Sequence, residues 1–348
     1  MRREEILSRQ VHQIDLEKVS TIKELVESFK GASIQARALG SCASVWERML
    51  TAETRPTIFI GLSGALIAGG LRKVIRDVIE HNLADVVVST GAIVYQDFYQ
   101  ALGYQHYIGE PSMDDVMLRG MEIDRIYDTL VDEQKFEETD EFICGTMKKL
   151  EPKAYSSREI LRILGDYAKN DAGSILGTAN EHGVPVFSPA LNDSSIGIGM
   201  TMYHAKHRKS PHVMLDSIKD NYELLSIIRH SKETGVVYVG GGTPKNWVND
   251  GVVMANYVFQ REVEGHTYAV QLTTDAPHWG GLSGSTLKEA QSWGKVHRDA
   301  RRATAYLEAT VGLPLLVGYL IHSGAAERRK RLRFEWDDTG ELIGMATA

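Results

Sequence analysis

Residues Thr57–Thr90 read TIFIGLSGALIAGGLRKVIRDVIEHNLADVVVST, and their order decides the fold class. An apolar run, Thr57–Leu62 (TIFIGL), ends in Ser63 and Gly64. A helical pattern follows, with Leu71, Val74, Ile75, Val78 and Ile79 on one stripe. A second β-branched run, Asp85–Thr90 (DVVVST), closes the unit and leads into GAIVYQDFYQALG. Continuous apolar runs bounded by turn residues predict strands buried on both faces. Strand, helix and strand in that order predict a βαβ unit in a mostly parallel sheet.

The same pattern recurs along the chain. Val184–Ser188 (VPVFS), Gly235–Val239 (GVVYV), Tyr268–Thr274 (YAVQLTT) and Ala303–Thr310 (ATAYLEAT) are the remaining predicted strands. Leu215, Ile218, Tyr222, Leu225 and Ile228 predict an apolar helix stripe. Ser156-Ser157-Arg158-Glu159 predicts a capping box. The acidic stretch from about Asp114 to Leu150 is expected to be helical, without a strand. The expected architecture is an α/β, doubly wound, mostly parallel sheet with flanking helices. A single domain over 1–348 is expected, with an N-terminal helical arm (1–50) and a helical excursion (114–150).

Composition narrows the class of function. With 348 residues, 43% hydrophobic and 24% charged, the chain is globular in type. Its formal charge of −7 gives no electrostatic basis for binding a nucleic-acid backbone. Cys42 and Cys144 form no disulfide framework and no CxxC motif, which fits a reducing compartment. The first residues, MRREEILSRQ, have no apolar segment of signal-peptide type behind them, and Gly312–Ile321 is too short to span a bilayer. The expectation is a cytoplasmic protein, and the acidity is compatible with a cationic small-molecule substrate without pointing to one.

In an open parallel sheet, ligands bind beyond the carboxyl ends of the strands. Ser63–Gly64, Thr90–Gly91, Asn192–Asp193, Gly240–Gly242 and Thr274–Asp275 follow those ends. The triple glycine is not a GxGxxG fingerprint, and a tight strand-to-helix turn explains it equally well. Asp193 could bind a ribose hydroxyl, but a helix cap or Asx-turn fits an isolated loop Asp better. His204, His207 and His212 read as a basic loop rather than a metal site.

The most informative stretch is Gly280–Lys295, GGLSGSTLKEAQSWGK. A Gly/Ser-rich loop leads through Glu289 to Trp293-Gly294-Lys295. A Lys desolvated beside an aromatic ring is a usable nucleophile for imine formation. Spacing alone favours the plainer reading, an exposed Lys beside a core Trp.

Several motifs together resemble one family. EAQSWGK (Glu289–Lys295), FSPALNDS (Phe187–Ser194), the Gly240–Gly242 turn, FIGLSGALIAGGLR (Phe59–Arg72) and DVVVSTGAIVYQD (Asp85–Asp97) are similar in order and spacing to deoxyhypusine synthases, from roughly Phe29 to Leu320. The resemblance implies a Rossmann-like core, NAD as cofactor, an oligomer (a homotetramer) and transfer of an aminobutyl group from spermidine through a lysine imine. It implies Lys295 as the imine-forming lysine, Trp293 as the wall beside it and Glu289 as a polyamine-binding carboxylate. On the NAD side it implies Thr90, Asp193, Gly240, Gly241, Gly242, Thr274 and Ala309, with Glu308 where the family has Asp.

Departures cluster around the substrate. Gln96 replaces a polyamine-binding Glu, and Ile198 and Leu282 replace Asp. Asn246 stands where the family has a His that assists proton transfer. Trp279 replaces an Asp, and Gly64-Ala65 a Ser-Asn pair. Asp275 and His278 add polar groups nearby. Losing buried anions weakens binding of a polycation. The expected function is therefore aminoalkyl transfer to a small amine, of the homospermidine synthase type. The alternatives are a true deoxyhypusine synthase acting on a protein lysine, and a non-catalytic NAD- or amine-binding relative.

Overall fold

The computed structural model describes residues 2–260, 263–337 and 339–347. Six parallel strands form the central sheet: β1 (Thr57–Leu62), β2 (Val86–Ser89), β3 (Val186–Phe187), β4 (Thr234–Val239), β5 (His266–Thr273) and β6 (Val296–Tyr306). Their spatial order is β6-β5-β4-β1-β2-β3. β1 lies in the middle, with Phe59 opposite Val86 of β2 and Thr57 opposite Thr234 of β4.

Every residue of β1, β2 and β4 is buried, because helices cover both faces. Alternate side chains enter two separate cores. Ile58, Ile60, Leu62, Val87, Val237 and Val239 meet Trp46 of the helix Ile34–Thr51, Ile75 and Val78 of the helix Arg72–Glu80, and Leu313 of the helix Ala309–Ser323. Phe59, Val86, Val88, Val236 and Tyr238 meet Leu224 and Ile228 of the helix Ser217–His230 and Trp247 and Val248 of the helix Gly242–Phe259. A C-terminal antiparallel hairpin, Leu332–Trp336 with Leu342–Thr347, packs on this second side.

The strand and βαβ expectations hold, with ends shifted by a few residues. The exception is Ala303–Thr310. β6 begins earlier, at Val296, and stops at Tyr306. Glu308 then caps the helix Ala309–Ser323 by accepting the Thr310 N–H at 2.7 Å. The stretch 114–150 also differs from expectation. It carries strands Ile123–Ile126 and Thr129–Asp132, which form a three-stranded antiparallel sheet with Tyr107–Ile108. Tyr127, with φ +55°, makes the turn between them.

The predicted stripe on Ser217–His230 holds at Leu225 and Ile228, which are buried, and fails at its N-terminal half. Leu215 belongs to a short strand, and Ile218 and Tyr222 are exposed. The buried face instead includes Glu223, held bidentately by Arg158 at 2.8 and 2.9 Å. The capping box forms as predicted, with Ser156 and Glu159 bonding each other's backbone N–H. Among the described residues, no helix is long and apolar enough to cross a membrane.

Candidate active site

A cleft of about 1200 Å³ opens at the carboxyl ends of β1, β4, β5 and β6. Its walls include the residues that directly follow those strands, Ser63 and Gly64, Gly240 and Gly241, Thr274 and Asp275, and Leu307–Thr310, and the turn Ile126–Thr129 of the small antiparallel sheet. The glycine turn is required by space. A Cβ on Gly240 would lie 2.4 Å from Ser63 Oγ, and one on Gly241 would lie 2.3 Å from Ser283 Cα. Gly240 and Gly242 also have φ of +74° and +59°, where only glycine is unstrained. The Gly241 N–H donates to Ser63 Oγ at 2.8 Å and the Gly242 N–H to Ser283 Oγ at 3.1 Å. Two hydroxyls thus fix the start of the helix Gly242–Phe259.

A smaller cleft, about 210 Å³, lies on the other side of the Gly280–Ser285 loop. Lys245, Asn246, Glu289, Trp293 and Lys295 line it. Lys295 Nζ is 2.6 Å from Asp250 Oδ1 and 5.2 Å from the centre of the Trp293 ring. Asn246 Nδ2 donates to the other oxygen of Asp250 at 2.6 Å. One helical turn separates Asn246 from Asp250, so both project on the same face. An adjoining cavity of about 330 Å³ shares Asn246 and Leu282 and adds Asp250, Trp247, Val253 and Met254.

The Lys-beside-Trp expectation from spacing is inverted. The Lys295 side chain is only 16% exposed, while Trp293 is 67% exposed and stands at the cleft mouth. Trp293 lies outside the core because the turn from Glu289–Ser292 into β6 leaves its ring projecting; the Gly294 φ of +70° makes that turn.

The other singled-out residues divide into groups. Gly240, Gly241, Thr274, Asp275, Glu308 and Ala309 meet in the large cleft, and Asn246, Glu289, Trp293 and Lys295 in the small one. Thr90, Asp193 and Gly242 line neither. Thr90 begins the helix Gly91–Ala101, whose start is closed by Ser194; a Cβ on Gly91 would lie 2.5 Å from the Ser194 side chain. Asp193 is exposed on the surface. Gln96 is buried on that same helix, and its Oε1 has no partner among the described residues. His278 and Trp279 form an exposed turn, their rings 4.4 Å apart. Ile198 is exposed. His207 stacks on Tyr203, and no group of three potential ligands among the described residues could hold a metal ion.

Sequence reading missed two residues, Lys245 and Asp250. Lys245 is buried at the base of the small cleft, and burial lowers its pKa to about 8, Glu289 and Asp275 opposing the shift and Lys295 adding to it. Nothing in GTPKNWVND marks that burial. The i, i+4 spacing of Asn246 and Asp250 was the available signal.

The family model for deoxyhypusine synthase matches residues 24–320. The chain belongs to the deoxyhypusine synthase family. A deoxyhypusine synthase-like protein of Chlorobaculum tepidum is 42% identical over 314 residues, 89% of each chain. One from Elusimicrobium minutum is 42% identical over 343 residues, covering 96% of this chain and 90% of the relative. A Methanosarcina mazei protein carrying the name "Probable deoxyhypusine synthase 2" is 39% identical over 91% of each chain. Among solved structures, an Entamoeba histolytica chain provisionally assigned as a deoxyhypusine synthase superposes with a TM-score of 0.62 at 20% identity, covering 89% of this chain and 96% of that one. That likeness supports the fold. Membership places the chain in a family of transferases.

Proposed function

We propose that this protein is an NAD-dependent aminoalkyl transferase in which Lys295 carries the transferred group as an imine. The observation that carries the reading is the pair of clefts. A half-buried lysine stands on one side of the Gly280–Ser285 loop, and a dinucleotide-sized cleft lies on the other.

The large cleft fits a dinucleotide. The strand order 3-2-1-4-5-6 supports a Rossmann-like reading of the sheet, and the cleft lies where that order reverses, between β1 and β4. Gly240 and Gly241 let the turn pack directly on Ser63 and Ser283, so the backbone itself lines the cleft without side chains. Ser63, Thr274 and Glu308 offer polar groups along the walls. Ser63, Gly240, Gly241, Thr274 and Glu308 would hold NAD there, and it would supply reversible hydride chemistry to an amine carbon.

The protein's own part is nucleophilic. Lys295 must shed a proton before it attacks, and Asp250, 2.6 Å away and oriented by Asn246, is positioned to take it. Nζ then forms a bond to the electrophilic carbon of the oxidised amine, and the carbon–nitrogen bond to the departing amine breaks. An acceptor amine attacks the Lys295 imine and releases the lysine. Glu289 faces the same cleft and offers a carboxylate to a substrate ammonium. Few anions and the apolar Leu282, Val253 and Met254 suit a short amine better than a long polycation. The exposed Trp279, Leu282 and Trp293 around the mouth suit a site completed by a second copy, within a homotetramer.

A second reading, transfer to a protein lysine, is supported by the name of the Methanosarcina mazei relative. Both readings place the chemistry inside the cell. The test is mass spectrometry after incubation with NAD and putrescine, agmatine or spermidine, each quenched with borohydride. An NAD-dependent adduct on Lys295 supports the mechanism and names the donor. No adduct with any amine defeats it. Transfer of label from spermidine to a protein acceptor instead selects the second reading.

A further inference from the structure

We infer that Lys245 is a positioning residue: its ammonium fixes the wall between the cofactor cleft and the lysine cleft. This rests on the functional reading above for its consequence, but its geometry stands alone. Lys245 Nζ lies 3.2 Å from Gln271 Oε1, 3.1 Å from the Leu282 carbonyl, 2.5 Å from the Ser285 carbonyl and 3.1 Å from Ser285 Oγ. All four partners are oxygens. An ammonium has three N–H donors and no lone pair, so it suits such a cage.

The cage controls more than its own atoms. Gln271 Nε2 donates to the Gly240 carbonyl at 3.0 Å and to the Ser283 carbonyl at 2.9 Å. Ser283 Oγ accepts the Gly242 N–H. One buried cation therefore ties the 282–285 loop to β5 and, through Gln271, to the glycine turn. That loop lines both clefts, Ser283 facing one and Leu282 and Ser285 the other. A lysine buried only to pack would need no oxygen on every side; charged hydrogen bonds of this kind are the strong ones.

Charge state decides whether the cage holds. A neutral amine has two donors and a lone pair that must face an oxygen. The groups whose charges act on Lys245 are Glu289 from the short helix, Asp275 from the loop after β5 and Lys295 just before β6; Asp250, on the same helix as Lys245, is paired with Lys295. Their balance with burial puts the titration near pH 8. The sign separates this local effect from unfolding. A lowered lysine pKa means that the folded protein releases the proton before the unfolded chain does, so between about pH 8 and 10 Lys245 makes folding more favourable as pH rises. Loosening of the loop in that range is local.

The experiment compares wild type, Lys245→Met and Lys245→Arg by amide hydrogen exchange and by NAD binding. Met keeps the bulk of the side chain and removes the ammonium. In the Met variant, amides of 280–286 are expected to exchange about tenfold faster or more, with β1 and β4 unchanged. The NAD dissociation constant is expected to rise by a similar factor in Lys245→Met, and in wild type as pH passes 8. Lys245→Arg, which does not deprotonate, is expected to recover part of the affinity and lose that pH limb. Unchanged exchange in 280–286 for Lys245→Met, or unchanged wild-type exchange relative to β4 across pH 8, overturns the inference. If Lys245→Met does not fold, the wild-type pH series decides the question by itself. If wild type binds no NAD, the functional reading fails, while the exchange data still judge the role of Lys245.

Discussion

Asp85 sits at the start of β2, at the end of the sheet away from the clefts, and its removal has a calculable cost. The side chain is 1% exposed. It accepts from Arg55 at 2.9 and 2.7 Å, from both terminal nitrogens of Arg329, and from the Ile58 N–H at 2.8 Å. Burial pushes its pKa up, but the Arg329 and Arg55 guanidiniums outweigh that and hold it below the ordinary range. Asp85→Ala strands the Arg329 cation, itself 1% exposed, and orphans a backbone N–H of the central strand. Breaking a buried pair from one side costs about 3–5 kcal/mol. The orphaned N–H overlaps with that cost rather than adding in full. At roughly 2 °C per kcal/mol for a chain of this size, the thermal midpoint should fall by about 8 °C. Asp85→Asn keeps an acceptor for Ile58 and should lose less. Scanning calorimetry and urea melts read the loss, and Lys295 labelling at low temperature should match wild type. A loss for Asp85→Ala below roughly 1 kcal/mol would refute the argument that the carboxylate is required by the buried Arg329 and the half-buried Arg55.

Other predictions concern the site and a second buried acid. Lys295→Ala should abolish borohydride trapping while leaving NAD affinity within about twofold, by calorimetry, because the lysine lines only the smaller cleft. Gly241→Ala must displace the Ser283 backbone, so NAD affinity should drop about tenfold or more, and unchanged affinity would place the cofactor elsewhere. Asp220, buried beneath Ser157, has its pKa raised to about 7 by burial. The folded state therefore holds this proton more tightly than the unfolded chain, and its contribution is lost as pH rises from about 4 through 7. Asp220→Asn keeps the oxygen that accepts from Ser157, so urea melts should show the variant gaining on wild type by about 1–3 kcal/mol between pH 5 and 8; parallel curves would contradict this.

The sheet was legible because burial on both faces leaves no polar alternation: IFIG and VVVS admit no exposed side. The end of β6 was not. ATAYLEAT is equally apolar through the strand, the cap and the first helical turn, and only Glu308 marks the break. The hairpin within 114–150 hid behind charge, since IDRIYDTLVD resembles a solvated helix until Tyr127 turns the chain. In the site, WGK was visible as a motif. Its geometry was not, because the positions of Asp250 and Lys245 depend on how the helix Gly242–Phe259 meets a loop some forty residues later in the sequence. A buried lysine leaves no trace in composition; its environment is supplied by carbonyls, which every residue has.

The placement of β1 has a consequence for how the chain is made. Thr57 leaves the ribosome well before its partner Thr234 on β4, and Arg329, which neutralises Asp85 at the foot of the same sheet, comes later still. Until they are made, β1 lacks the partner for one of its edges and Asp85 lacks one of its two cations. Parallel pairing of this range is slow, and exposed strand edges favour aggregation. Yield in a heterologous host should therefore depend more on translation speed and on chaperones that shelter the N-terminal half than on the stability of the finished fold.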